Sequence, residues 1–172
     1  MYSAFTPLIT LFLSTVTLAL TVSSRLSPNA ALTPRAGAPI PSFLHPNGSP
    51  DRCLVVSGGN LFNGAPVVLG ECIKGEGDVW TFPFGSNTNV KFGQTGFCLD
   101  AGSSPANGVG MKIWQCFDSL PAQTWFATED NRIALAGQGQ CLDLTNGNMN
   151  IGAGVQIWQC TDNDVNQIWT TV

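Results

Sequence analysis

The strongest constraint on this chain is a repeat that occurs three times. Cys72, Cys116 and Cys160 follow one another at a step of 44 residues, and Gly64, Gly108 and Gly152 keep the same step. Trp80, Trp125 and Trp169 come at steps of 45 and 44. The last copy is the sharpest. It opens Cys141-Leu142-Asp143, continues Val155-Gln156-Ile157-Trp158-Gln159-Cys160 and ends Asn166-Gln167-Ile168-Trp169. A paler copy runs from Cys98 to Trp125, and a worn one from Cys53 to Trp80. A fixed period of this size means one supersecondary unit used three times, because no unit buries its apolar face alone. Residues kept in all copies belong to the scaffold, and those that vary are free to bind.

The units read as short strands. Alternation puts Val155 and Ile157 on one face of a strand and Gln156 and Trp158 on the other. The middle copy sets Met111 and Ile113 against Lys112 and Trp114; the first sets Val67 and Leu69 against Val68 and Gly70. The first face is apolar in every copy and so points to the core. The second changes, and so points to solvent or a ligand. In the ending, Gln167 and Trp169 share a face away from Asn166 and Ile168. The recurring Trp80, Trp125 and Trp169 suit a core, which leaves Trp114 and Trp158 as the accessible pair. Asn63-Gly64, Asn107-Gly108 and Asn146-Gly147 predict tight hairpin turns. No helical period is visible in the repeats. The class is all-β, and three copies predict a closed pseudo-threefold barrel, since propellers generally need four or more blades.

The chain has 172 residues, and the repeats leave its beginning unexplained. Leu8 to Leu20 is an uncharged apolar run of 13 residues, too short to span a bilayer, followed by small residues and then Arg25. Residues 1–24 therefore read as a secretory signal peptide, cut near Ala19, Ser23 or Ser24, which implies a secreted, extracellular protein. Residues 25–41 carry Pro28, Pro34, Pro39 and Pro41 without an apolar period and read as a linker. The domain then spans 42–172, with repeats at 42–86, 87–129 and 130–172.

All six cysteines lie in the repeats, and six allow fifteen pairings. The repeat favours Cys53–Cys72, Cys98–Cys116 and Cys141–Cys160, each unit closing its own loop for roughly 3 kcal/mol. Zinc fits poorly: C-x2-C spacing is missing, and the single histidine, His45, sits beside Pro46 in a surface or strand-end position. Charged residues make up 10% of the chain and the net charge is −4, with no basic cluster. Nucleic acid and membrane insertion are therefore not expected. Asn47-Gly48-Ser49 is either an N-glycosylation acceptor or simply a turn.

Cys-Leu-Asp, the x-Q-x-W-x-C strand and the Q-x-W ending together resemble the ricin B-chain type of lectin domain, across the whole of residues 42–172. The resemblance implies a β-trefoil of three four-stranded units, each with one potential sugar site and no cofactor or metal. In lectins of this type the Asp of Cys-x-Asp, the Gln and aromatic of the strand, and the Asn-Gln of the ending hold the sugar. The chemistry is reasonable. A sugar presents paired hydroxyls on its edge and C–H bonds on one face, so a carboxylate, an amide and an aromatic platform answer it.

Carried over residue by residue, the third copy is complete: Asp143 for paired hydroxyls, Trp158 under the ring, Asn166 and Gln156 as amides. Gln167 would position Asp143 or the local backbone. The second copy keeps Asp100, Trp114 and Gln123. It has Lys112 for Gln156 and Ala122 for Asn166, so it is a weaker site in which Lys112 competes for Asp100. In the first copy Val55, Gly70, Val68 and Gly77 stand at the site positions and the ending is Asp78-Val79-Trp80, so it is scaffold only.

The expected function is that of a non-catalytic carbohydrate-binding protein. Its ligand would be a galactose or N-acetylgalactosamine glycan, or a xylan-like plant polysaccharide. No nucleophile–base motif is present, and a glycosidase needs two carboxylates at one bond. Asp100 and Asp143 belong to different units. The alternative is a β-trefoil that binds protein, such as a protease inhibitor or secreted effector. An inhibitor has no need for five sugar-type residues in one copy.

Overall fold

The computed structural model describes Met1 and residues 40–73, 78–82 and 87–171. The chain divides into Met1–Thr33 and Pro34–Val172, and the second unit is the one described below. The signal peptide and nearly all of the linker read from the sequence lie outside the described residues, as does Gly77.

The described residues include fourteen short strands and four single-turn 3-10 segments. The first repeat holds β1 (Ile40–Ser42), β2 (Leu44–Pro46), β3 (Arg52–Val56), β4 (Val67–Glu71) and β5 (Trp80–Phe82). The second holds β6 (Lys91–Phe92), β7 (Phe97–Asp100), β8 (Val109–Gly110), β9 (Lys112–Gln115) and β10 (Trp125–Ala127). The third holds β11 (Ile133–Leu135), β12 (Gln140–Leu144), β13 (Val155–Gln159) and β14 (Trp169–Thr171). Pairing is antiparallel throughout and threefold in pattern. Inside the repeats β3 pairs with β4, β7 with β9 and β12 with β13. Between them β5 pairs with β6, β10 with β11, and β14 returns to β2. That last pairing joins the two ends of the domain, so the three units close on themselves: this is a β-trefoil. β1 adds a strand against β5, so residues 40 and 41, read from the sequence as linker, pair with the domain.

A third set of bonds runs around the axis. Pro66 bridges Lys112, Gly110 pairs with Gln156, and Gly154 bridges Val68. The amides of Gly64, Gly108 and Gly152 donate to the carbonyls of Ile113, Ile157 and Leu69, at 2.9, 3.0 and 2.7 Å. Each repeat thus grips the next, and the third grips the first.

The core is layered in the same way. Leu54, Leu99 and Leu142, with Leu69, Ile113 and Ile157, are all fully buried. Each such side chain contributes about 1.5–3 kcal/mol of apolar burial. Trp80, Trp125 and Trp169 are 0, 0 and 3% exposed. Each indole N–H donates to the leucine carbonyl of its own repeat: Leu54 at 2.8 Å, Leu99 at 3.1 Å and Leu142 at 3.0 Å. This satisfies the one polar atom that a buried tryptophan carries. The three disulfides pair within repeats as expected from the spacing, Cys53–Cys72, Cys98–Cys116 and Cys141–Cys160.

Two expectations need correction. The Asn-Gly pairs do not form two-residue hairpins. The strands they were to connect are separated by long loops, 57–66 in the first repeat and 145–154 in the third, and Asn146-Gly147 lies in a 3-10 turn, Thr145–Gly147. His45 is not a surface residue. It is 3% exposed in the middle of β2, with Nδ1 at 2.8 Å from Ser49 O and 3.0 Å from Arg52 O. Two carbonyls facing one nitrogen require a hydrogen on Nδ1, and the buried ring ties the 47–50 turn to β3. Its nitrogens also lie near Cys53 and Cys72, but both sulfurs are in a disulfide and offer no thiolate to a metal.

Asn47 is exposed at a positive φ of 46° and Gly48 follows at 72°, so this segment is a tight turn.

Candidate functional site

The register of the β12–β13 pair builds the third-repeat site. Asp143 sits opposite Gln156, and Cys141 opposite Trp158, all on the face turned away from Leu142 and Ile157. The carboxylate and the ring are therefore diagonal neighbours on the outer surface. Asp143 is 4% exposed and Trp158 is 41% exposed, an acid recessed beside an open ring.

The carboxylate is held from two sides. Gln156 Nε2 donates to Asp143 Oδ1 at 2.8 Å, and Gln167 Nε2 approaches Oδ2 at 3.4 Å. Each oxygen keeps a free lone pair. Gln167 is wholly buried: its Nε2 also donates to Gln159 O at 2.9 Å, and its Oε1 accepts from Thr161 N at 2.9 Å. It touches both Asp143 and the local backbone and presents nothing to solvent. Its segment, Val165–Gln167, is a 3-10 turn and not the strand assumed from alternation, yet the burial pattern is the one alternation gave. Asp164 caps that turn by accepting from Asn166 N at 3.0 Å. Asn166 lies against the Thr145–Gly147 turn so closely that a Cβ on Gly147 would meet its Oδ1 at 2.8 Å. Burial pushes the Asp143 carboxyl above its ordinary range; the hydrogen bonds from Gln156 and Gln167 oppose this, and the Asp164 charge adds to it.

The second-repeat site has the same frame and a different charge pattern. Asp100 sits opposite Lys112, and Cys98 opposite Trp114, which is 37% exposed. Lys112 Nζ lies 3.5 Å from Asp100 Oδ1, as the sequence suggested. The same oxygen accepts from Gly102 N at 2.7 Å, and Oδ2 accepts from buried Gln123 at 3.0 Å. Asp100 therefore caps its own loop, which Asp143 does not. The second loop is also one residue shorter, with Cys98 and Cys116 18 residues apart and Cys141 and Cys160 19. The shorter loop folds back on its aspartate. Trp114, Lys112, Leu120 and Ala122 line a hollow of about 320 Å³ over Asp100.

The first repeat keeps the frame without the site. Val55 faces Val68, and a Cβ on Gly70 would meet Val55 Cγ2 at 2.6 Å. The valine thus crowds the first carbon that any side chain at the platform position would add. Asp78 stands where the other repeats have Gln123 and Gln167, its carboxyl pushed up by burial.

Sequence reasoning missed one group, the asparagines of the Asn-Gly pairs. Asn63 Oδ1 accepts from Gln115 N and Asn107 Oδ1 from Gln159 N, both at 2.7 Å, each reaching into the next repeat. The signal was present in the step from Asn63 to Asn107, which equals the repeat period.

The acid, amide and tryptophan of the third repeat thus form one cluster on the outer face of a β-trefoil. Family comparison agrees: residues 44–169 match the ricin-type beta-trefoil lectin domain, and the chain belongs to that family. No curated protein matches the chain. Among solved structures, the chain resembles a designed threefold symmetric protein, ThreeFoil, at 20% identity and a TM-score of 0.67, covering 77% of this chain and 97% of that one. The C-half of an earthworm R-type lectin, solved with GalNAc, is 17% identical with a TM-score of 0.64, covering 77% and 98%. The ricin B-like lectin of Macrolepiota procera, solved with lactose, is 21% identical with a TM-score of 0.63, covering 80% and 97%. At these identities the likeness is one of fold.

Proposed function

We propose that this protein is a secreted, non-catalytic lectin whose principal site is the third repeat, with galactose-type glycans or a plant polysaccharide as ligand. The observation that carries this is the recessed Asp143 carboxylate, held by Gln156 and Gln167, beside the open ring of Trp158. Asp143 accepts two vicinal hydroxyls, Trp158 stacks on the C–H face, and Asn166 directs one further hydroxyl. The galactose-type half of the reading draws support from the earthworm and Macrolepiota lectins, whose structures hold GalNAc and lactose. Export is supported by the apolar leader and by three disulfides, which persist in oxidising compartments. The second repeat is the weaker site, because Lys112 and the Gly102 amide already occupy Asp100.

A glycan array probed with the oxidised domain, followed by calorimetric titration of the best ligand, tests the reading. One sugar ring offers little area, so a monosaccharide dissociation constant in the high-micromolar to millimolar range is expected, roughly −4 to −6 kcal/mol. An array with no responsive glycan, together with tight binding to a protease or other protein, would replace the lectin reading with the protein-binding one.

A further inference from the structure

We infer that Asn63 and Asn107 are positioning residues for the tryptophan platforms of the following repeats, so that each sugar site is set by two repeats; this rests on the lectin reading above. Asn107 belongs to the second repeat, but its side chain accepts from the amide of Gln159, the residue next to Trp158. Its neighbour Gly108, at φ +86°, brings the backbone to the ring: a Cβ there would lie 3.9 Å from Trp158 Cζ3. The first repeat does the same for the second. Asn63 accepts from Gln115 N beside Trp114, and Gly64, at φ +94°, lies 3.8 Å from Trp114 Cζ3 by the same measure.

The junction from the third repeat to the first is an internal control. Gly152 has the same backbone conformation, φ +83°, and its amide makes the same bond, to Leu69 O at 2.7 Å. The junction therefore closes without an asparagine, for Ile151 stands at that position and is 58% exposed. The platform there is Gly70. Asparagine and ring are present together twice and missing together once, while the scaffold bond is present all three times. Closure of the trefoil does not require the asparagine, and the ring is what it accompanies.

The mechanism is an anchor. The bond fixes the backbone on the C-terminal side of the tryptophan, while the glycine turn supports one edge of the indole. Together they hold the ring at its angle to Asp143, and a stacking surface that is already fixed loses less entropy when the sugar docks.

The experiment uses the full oxidised domain carrying Trp114→Phe, so that Trp158 is the exposed emitter. In that background Asn107→Ala, Asn107→Asp and Asn63→Ala are compared by acrylamide quenching and by titration with the array-selected glycan. Asn107→Ala should raise quenching of Trp158 and weaken glycan binding about tenfold, the usual consequence of losing one well-made hydrogen bond. Asn107→Asp keeps the acceptor and should restore both readouts, and Asn63→Ala should leave the quenching of Trp158 unchanged. The inference is overturned if Asn107→Ala leaves quenching unchanged, if Asp fails to rescue, or if Asn63→Ala perturbs Trp158 equally. Quenching needs no sugar, so a protein that binds no glycan would sink the lectin reading while the anchor remains tested.

Discussion

At the scale of single residues, the two aspartates show how one motif acquires two roles. Asp143 accepts only from amide side chains, whereas Asp100 shares one oxygen between Lys112 and Gly102. Asp143→Ala should lower glycan affinity at least tenfold, about 1.4 kcal/mol, read by titration. Lys112→Gln should strengthen second-repeat binding about threefold, a modest gain because the lysine is partly solvated, measured in an Asp143→Ala background. Asp143 also predicts a pH profile. Burial raises its folded-state pKa above the unfolded value near 3.8, so the folded chain binds more protons between the two. The ionised carboxylate therefore costs stability above the folded pKa, and that cost is gone below 3.8. Binding runs the other way, because protonation turns an acceptor into a donor. Affinity should fall with pH through the folded pKa, earlier than for an exposed aspartate, and calorimetry from about pH 7 to about pH 4 should record it.

At the scale of elements, the same strand–loop–strand unit serves as site or as support according to what its outer face carries. The inner face is kept in all three: Leu54, Leu99 and Leu142 opposite Leu69, Ile113 and Ile157. The buried tryptophans lock each unit through one indole bond. Replacing Trp80, Trp125 or Trp169 with Phe should each cost about 1–3 kcal/mol, since a buried leucine carbonyl loses its donor. Chemical denaturation would measure it, and the three values should be alike because the three bonds are alike. The outer face was legible where chemistry is local: the Asp, the Gln and the accessible tryptophans follow from alternation within a strand. It was not legible in the loops. Whether the aspartate accepts from its own loop, as Asp100 does from Gly102 N, depends on backbone path.

At the scale of the molecule, the trefoil is closed by its ends. β2 pairs with β14, placing Leu44 and His45 against the last strand, and Asn47 N donates to Ile168 O at 2.7 Å. Truncation to begin at Asn47 removes this clasp, the burial of Leu44 and the hydrogen bonds of His45. The melting temperature should fall by roughly 10 °C in a single cooperative transition, followed by circular dichroism. Loss confined to the third repeat, with the rest melting as before, would mean that the units are not coupled as the ring of junction bonds implies.

The sequence by itself determined the threefold plan, the disulfide pairing, the core and outer faces of each strand, and which tryptophans are buried. All of these follow from periodicity, and a period of two within strands and about 44 between units is written directly in residue order. Only the tertiary structure decided what the asparagines of the Asn-Gly pairs do, why Gly70 cannot simply become a platform, and where His45 lies. Each of these depends on a neighbour outside its own strand: Asn107 and Gln159 are 52 residues apart, and His45 packs beside the Cys53–Cys72 disulfide. Alternation reports which side of a strand a residue faces. It carries no information on what closure of the barrel brings to that side.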